Sequence, residues 1–300
     1  MNNRIKFAYH LQGWKFDPSK KQQLQEQAQK ILPEEYQPEM EGAIFCPECC
    51  SLLYRSPKTK AQSESGRKAF FAHNKSNNID CGLRTNQAEG KRYLSEEQAQ
   101  KAIQNEELVV VAGFLNKQPV LPNITTKDYD QSKVEDLNGP IVDTPIARHK
   151  GESFALPSKF KTIRSITRNF DENIYRYFFM PRGSYAVQLQ DLLVNIENVK
   201  STDDTPRLYY GKIIRSFNAG KKPSNIRMTM LKFDSSDTDY QDFCFKLSDS
   251  EQREKGIDDD SLERILIVYG KVTESGTGLC ITRVKWGEFA LLPRKYEYLL

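Results

Sequence analysis

Long apolar runs are missing from this 300-residue chain, whose mean hydropathy is −0.66. No stretch approaches the ~18 apolar residues that a membrane span needs, so no membrane partner is expected. Residues 1–20 are polar and charged, and no hydrophobic signal region opens the chain, which reads as cytoplasmic. Histidine is scarce at three, and cysteine is modest at six. With no sign of export, disulfides are not expected, whereas thiolate ligation of a metal is. The sequence has no Walker-type glycine loop, no nucleotide-binding Gly-x-Gly-x-x-Gly and no nucleophile elbow. His10 and His149 stand alone and read as structural or solvated.

A large charge excess is also missing. Forty-four Lys and Arg face 40 Asp and Glu, a net charge of +4, which does not by itself mark a nucleic-acid binder. The charges are nevertheless segregated. Residues 46–101 hold ten basic and six acidic side chains, and residues 145–185 hold eight and three. Such basic segments fit a polyanion footprint, and equally a solvated basic face.

Against this background one cluster stands out. Cys46-Pro-Glu-Cys49 is followed by Phe70-Phe-Ala-His73 and then Cys81, so three cysteines and a histidine fall within 36 residues. Zn²⁺ takes four thiolate or imidazole ligands at tetrahedral corners, and a Cys-x2-Cys turn supplies half a site at little entropic cost. Cys46, Cys49, His73 and Cys81 are therefore the candidate zinc ligands. Cys50 could replace Cys49, although Cys-x2-Cys is the commoner geometry. Cys244 and Cys280 lie in strand-like segments and read as core thiols. Residues 51–55 and 67–73 read as two strands joined by a polar loop, a hairpin with a ligand pair at each end.

The rest of the chain reads as an α+β protein. Residues 1–41 form an N-terminal helical arm, with a helix over 18–32 whose narrow stripe is Leu24, Ala28 and Leu32 and which Pro33 stops. Residues 42–107 are a zinc-ribbon-like module plus a helix over 89–107. Residues 108–200 are a mixed, basic middle region. It contains a buried strand over 108–114 and a segment over 158–170 with Ile163, Ile166 and Phe170 at helical spacing and Lys159, Lys161, Arg164 and Arg168 on the other side. A linker over 197–206 leads into residues 207–300. There five alternating strands, with a short helix between the third and fourth, follow the order of an OB-like β-barrel. An SH3-like barrel and an open sheet are the rivals. Gly211 suits a bend in the first strand.

An OB barrel binds single strands across its second and third strands, gripped by loops after the first and fourth. The first such loop carries Gly220-Lys221-Lys222, flexible backbone beside paired phosphate-binding cations. Arg215, Arg227, Lys232 and Arg283 are candidate cations, and Tyr209, Phe217, Phe233, Phe243 and Tyr269 are candidate stacking rings. Roughly half of these rings must fill the barrel, because alternation turns every second side chain inward. With sixteen basic and fourteen acidic residues over 207–300, the barrel could also dock a protein.

The segment from Phe45-Cys-Pro-Glu-Cys49 through Lys68-Ala-Phe-Phe-Ala-His73 to Cys81 resembles the N-terminal metal-binding part of competence protein CoiA-like proteins, over about 40 residues. The resemblance implies that Cys46, Cys49, His73 and Cys81 ligate the metal. It also implies a nucleic-acid-associated, bacterial or phage-related role in defence or mobile-element biology. That family typically continues into a nuclease-like domain. The paired acidic residues and Glu-x-Lys of a Mg²⁺ site are not found here: Glu89, Glu152 and Asp191 form no motif. The expected function is a zinc-containing, non-enzymatic binder of single-stranded nucleic acid, DNA before RNA. The alternatives are a metal-dependent nuclease and a protein-docking subunit of a larger complex.

Overall fold

The computed structural model describes residues 5–62, 68–73, 81, 83, 90–118, 140–147, 152–220, 222 and 225–300. The chain is mixed α+β and divides into two compact units, Met1–Glu89 and Gly90–Leu300.

In the first unit, β1 (Ala8–His10) lies between β2 (Gln29–Ile31) and β3 (Ile44–Phe45), antiparallel to both. The expected helix over 18–32 is shorter. A 3₁₀ turn at Pro18–Lys20 leads into α1 (Lys21–Gln27), and the chain then extends into β2. Leu24 is the one buried residue of α1. A stripe that thin offers less burial than pairing β2 with β1, which seats Ile31 in the core. Residues 5–41 therefore hold two strands and a short helix and are not a helical arm.

β4 (Leu53–Ser56) and β5 (Phe70–His73) form the expected hairpin, with Leu53 opposite His73 and Ser56 opposite Phe70. Arg55 on β4 is buried, and its guanidinium donates to the carbonyls of Pro33, Pro57, Lys58 and Lys60. Those bonds satisfy a guanidinium removed from water and pin the turn after β4.

The second unit opens with α2 (Glu96–Gln104). Its N-cap Ser95 accepts from Gln98 N, and Ala99 and Ala102 are its buried residues. β6 (Leu108–Val110) pairs in parallel with β9 (Tyr177–Phe179), which pairs in turn with β10 (Val187–Gln188). β7 (Ile141–Thr144) and β8 (Phe154–Pro157) form a hairpin between them in sequence. Ile163, Ile166 and Phe170 are all buried, as their spacing predicts, but on two helices: α3 (Ile163–Arg168) and α4 (Phe170–Asn173). Asn169 breaks the helix, and Asn173 Nδ2 donates to Ile166 O at 2.8 Å. α5 (Leu189–Leu192) and β11 (Leu193–Asn195) complete the middle region.

The largest sheet contains β11 with β12 (Asp203–Asn218), β13 (Ile226–Leu231), β14 (Phe243–Ser248), β15 (Ile265–Ser275), β16 (Gly278–Thr282) and β17 (Phe289–Leu291). α6 (Asp249–Glu254) lies between β14 and β15 in sequence. β12 changes partner along its length. Residues up to Lys212 pair with β15, and residues from Ile213 pair with β13. Pairing then continues from β13 to β14, from β14 to β16 in parallel, and from β16 to β15, which returns it to β12. Gly211 sits at the changeover, where a Cβ would stand 3.0 Å from the Ile196 side chain. The bulge itself falls between Ile213 and Arg215 and leaves Ile214 exposed. Tyr209, Leu231, Phe243, Phe245, Leu279 and Ile281 fill the interior.

The segment read as a linker over 197–206 is ordered, and β12 begins inside it at Asp203. The middle region is also stitched to the C-terminal strands. Gly287 N donates to Leu115 O at 2.8 Å, and Leu115 N donates to Lys161 O at 2.9 Å. Residue 207 is thus not a structural seam.

Candidate metal centre and basic face

Cys46 follows β3 directly, and the knuckle closes through backbone bonds from Cys50 N to Cys46 O and from Cys46 N to Ser51 O. Glu48 N points at Cys46 Sγ, 3.4 Å away. Cys50 takes a left-handed φ of +59°, which turns the chain into β4. The hairpin brings His73, at the end of β5, back beside the knuckle, and Cys81 completes the group.

The ligand atoms of Cys46, Cys49, His73 and Cys81 all lie within 4.8 Å of one another. Cys46 Sγ is 3.8 Å from Cys81 Sγ, and Cys49 Sγ is 3.4 Å from His73 Nε2. A tetrahedron with Zn–S of ~2.3 Å and Zn–N of ~2.0 Å has S···S edges of about 3.8 Å and S···N edges of about 3.5 Å. Both short separations match such edges, so the residues present can hold a metal ion of that size. Burial pushes the Cys46 thiol well above its ordinary range. Hydrogen bonds from Cys46 and Cys81 hold the Cys49 thiol far below it. Deprotonating three such crowded sulfurs calls for a cation among them. Cys50 is excluded from the group. It is buried, and burial raises its thiol to about 11.

The residues expected to touch nucleic acid divide sharply. Arg227 was expected at the surface but has a side-chain exposure of 0 %. Alternation along β13 turns it to the same side as Thr229 and Leu231, where α6 meets it. Its Nε donates to Asp249 Oδ1 at 2.6 Å and its Nη1 to Ser216 Oγ at 2.9 Å. Its Nη2 stands 2.7 Å from Asp259 Oδ1 without an aligned hydrogen bond. Phe233 is half-buried with its ring 6.0 Å from that of Phe243, packed against the core. Tyr209 and Phe243 are interior, the Tyr269 ring packs tilted against Phe114, and Lys232 is paired with Glu197.

Arg215 and Phe217, by contrast, lie on the outer side of β12. Arg215 is exposed, and its guanidinium sits over the Phe217 ring at 4.5 Å. Lys222 is exposed in the following loop, and Lys221 lies outside the described residues. In the middle region Arg168 is exposed, Lys161 and Arg164 are half-buried, and Lys159 lies 3.8 Å from Glu106. Sequence reasoning missed Lys246, which strand register places on the outer face of β14 opposite Met228. Its signal was alternation, which becomes readable only once the phase of β14 is known. Neither a protein-family model nor a curated protein matches this chain.

Proposed function

We propose that this protein is a zinc-containing binder of single-stranded nucleic acid, DNA before RNA, using the outer face of β12, β13 and β14. The observation that carries this reading is the exposed Arg215 guanidinium stacked on Phe217. A ring carrying a guanidinium offers a platform for a base, at about 1–3 kcal/mol per base. Met228 and Met230, on the adjoining strand, extend the apolar floor. Lys222 and Lys246 supply phosphate-binding charge beside it.

An OB-like identity for the sheet is supported by its pairing order. Five strands pair in the cycle β12, β13, β14, β16, β15, with β14 and β16 parallel and α6 before β15. Zinc is favoured by the S₃N donor set, since thiolates and imidazole at tetrahedral spacing suit Zn²⁺ better than hard cations. The metal module stabilises its own unit, and the CoiA-like resemblance of its ligand pattern adds a nucleic-acid setting.

A gel-shift series with single-stranded and duplex oligonucleotides, with and without Mg²⁺, tests this. Retarded, intact single strands are expected. Cleavage would favour the nuclease alternative, and no shift at low salt would favour protein docking.

A further inference from the structure

Cys244 on β14 and Cys280 on β16 are direct register partners on neighbouring parallel strands. Their sequence neighbours Phe243, Phe245, Leu279 and Ile281 fill the interior, so alternation turns both thiols to the outer side of the sheet. Neighbouring strands run about 4.8 Å apart, within the Cα separation of roughly 4.4–6.8 Å that a disulfide spans. Both are free thiols, each only 2 % exposed. The half-buried Met230 and Lys246 flank Cys244 on the same side. Thr273 Oγ1 lies 3.3 Å from Cys280 Sγ, and Lys246 Nζ is hydrogen-bonded to Ser275 Oγ.

Buried structural thiols are ordinarily inert. This pair is set apart by its donors. The Cys244 thiol, then the Thr273 hydroxyl and the Lys246 charge, act against burial to bring Cys280 down to about 6. The neighbouring Cys280 thiol, together with burial, pushes Cys244 up. The Thr273 hydroxyl at 3.3 Å and the Lys246 charge thus favour negative charge on Cys280 over Cys244.

We propose that Cys244 and Cys280 form a reversible dithiol–disulfide switch, oxidised by hydrogen peroxide, that ties β14 to β16 in the outer face of the sheet. The Cys280 thiolate attacks one peroxide oxygen. The O–O bond breaks, and the departing hydroxide takes a solvent proton to become water, leaving a sulfenic acid on Cys280. The Cys244 sulfur then attacks the sulfenic sulfur. An S–S bond forms as the S–O bond breaks, and the leaving hydroxide departs as water with the Cys244 proton. Peroxide gains two electrons and the dithiol loses two. A small dithiol reverses the step by exchange.

The row Arg215, Met230, Cys244, Cys280 crosses four neighbouring strands. A cross-link at its far end therefore alters the face to which Arg215 belongs. This regulatory half rests on the nucleic-acid reading above.

The test treats the reduced full chain with stoichiometric peroxide and digests it without reductant. Mass spectrometry should find a peptide pair joining Cys244 to Cys280, lighter by two hydrogens and reopened by dithiothreitol. Mapping by peptide separates this product from oxidation of Cys46, Cys49 or Cys81. Cys244→Ser should leave a sulfenic acid on Cys280 that dimedone captures, and Cys280→Ser should leave Cys244 unlabelled. Two free thiols after treatment, or separate sulfinic acids, would overturn the switch, and that result needs no variant to fold. Affinity for a labelled single-stranded oligonucleotide should then differ about fivefold or more between the reduced and oxidised forms. A disulfide with unchanged affinity overturns the regulatory half. If neither form binds the oligonucleotide, the nucleic-acid reading fails while the mapped disulfide still supports the switch.

Discussion

Arg227 Nε lies 2.6 Å from Asp249 Oδ1, and this pair joins β13 to α6 inside the second unit. Around it, Thr229 Oγ1 donates to Gln252 Oε1 at 2.7 Å, and Gln252 Nε2 donates to Arg227 O at 2.9 Å. Breaking a buried pair costs about 3–5 kcal/mol, because it strands a charge away from water. Arg253 also touches Asp249, at 3.0 Å, and would still neutralise it. Arg227→Ala should therefore lower stability by about 3 kcal/mol, the low end of that range. Urea unfolding measures this. A loss within experimental error would mean that the pair is solvated. The same variant, where folded, should leave the salt dependence of oligonucleotide binding unchanged.

Arg215→Ala and Lys222→Ala should each weaken oligonucleotide binding for all sequences and flatten the log–log salt slope by about one. Phe217→Ala should cost about 1–3 kcal/mol of affinity with the slope preserved. Binding isotherms at several salt concentrations separate the two effects. An unaltered slope in both basic variants would remove this face from the site.

One metal ion per chain is expected in protein purified without chelator, as elemental analysis will show. Cys49→Ser should lose the ion and melt the β4–β5 hairpin while the strands of the second unit stay protected from amide exchange. Cys50→Ser should keep the ion. Acidification should release it, because protons compete for three thiolates and an imidazole. Stoichiometric metal surviving Cys49→Ser would refute the ligand set.

Gly287 is held between two backbones. A Cβ there would stand 2.7 Å from both Leu115 N and Lys161 O. Neither is the end of a flexible side chain, so Gly287→Ala must push the middle region off the 3₁₀ turn Trp286–Glu288 that precedes β17. A loss of about 1–3 kcal/mol is expected, together with faster amide exchange at Leu115. A neutral substitution would show that this junction carries no load.

Lys255 is buried, and its amine donates to the carbonyls of Trp286 and Phe289. Both rings lie under it, at 3.9 and 4.6 Å, and favour its charge. Desolvation outweighs them and lowers its pKa from 10.5 to about 7. Between these values the unfolded chain carries a proton that the folded chain lacks, so stability should rise with pH from about 7 to 10. Urea midpoints across that range should climb more in the wild type than in Lys255→Met. Parallel curves would show that Lys255 stays charged when folded.

The Cys46, Cys49, His73 and Cys81 group that could hold a metal was legible because it consists of rare residue types at short spacing, and a Cys-x2-Cys turn with a facing hairpin is local chemistry. The β4–β5 hairpin was legible for the same reason, and so was the grouping of Ile226, Met228 and Met230 on one face of a strand, whose alternation is unbroken. What tertiary structure decided was the phase and company of each strand. Alternation alone gives two faces and does not say which is inner. Arg227 therefore read as a surface cation until α6 brought Asp249 to it, and Cys244 and Cys280 are buried as expected while only register shows that they are neighbours. Residues 18–32 read as one helix because a sequence window does not contain β1, whose pairing with residues 29–31 outweighs a stripe with one buried leucine. The seam read at residue 207 disappeared because the backbone bonds of Leu115 and Gly287 join segments more than 160 residues apart. Spacing along the chain carries ligand chemistry and period, whereas the choice of face and partner is made by burial and pairing between distant segments.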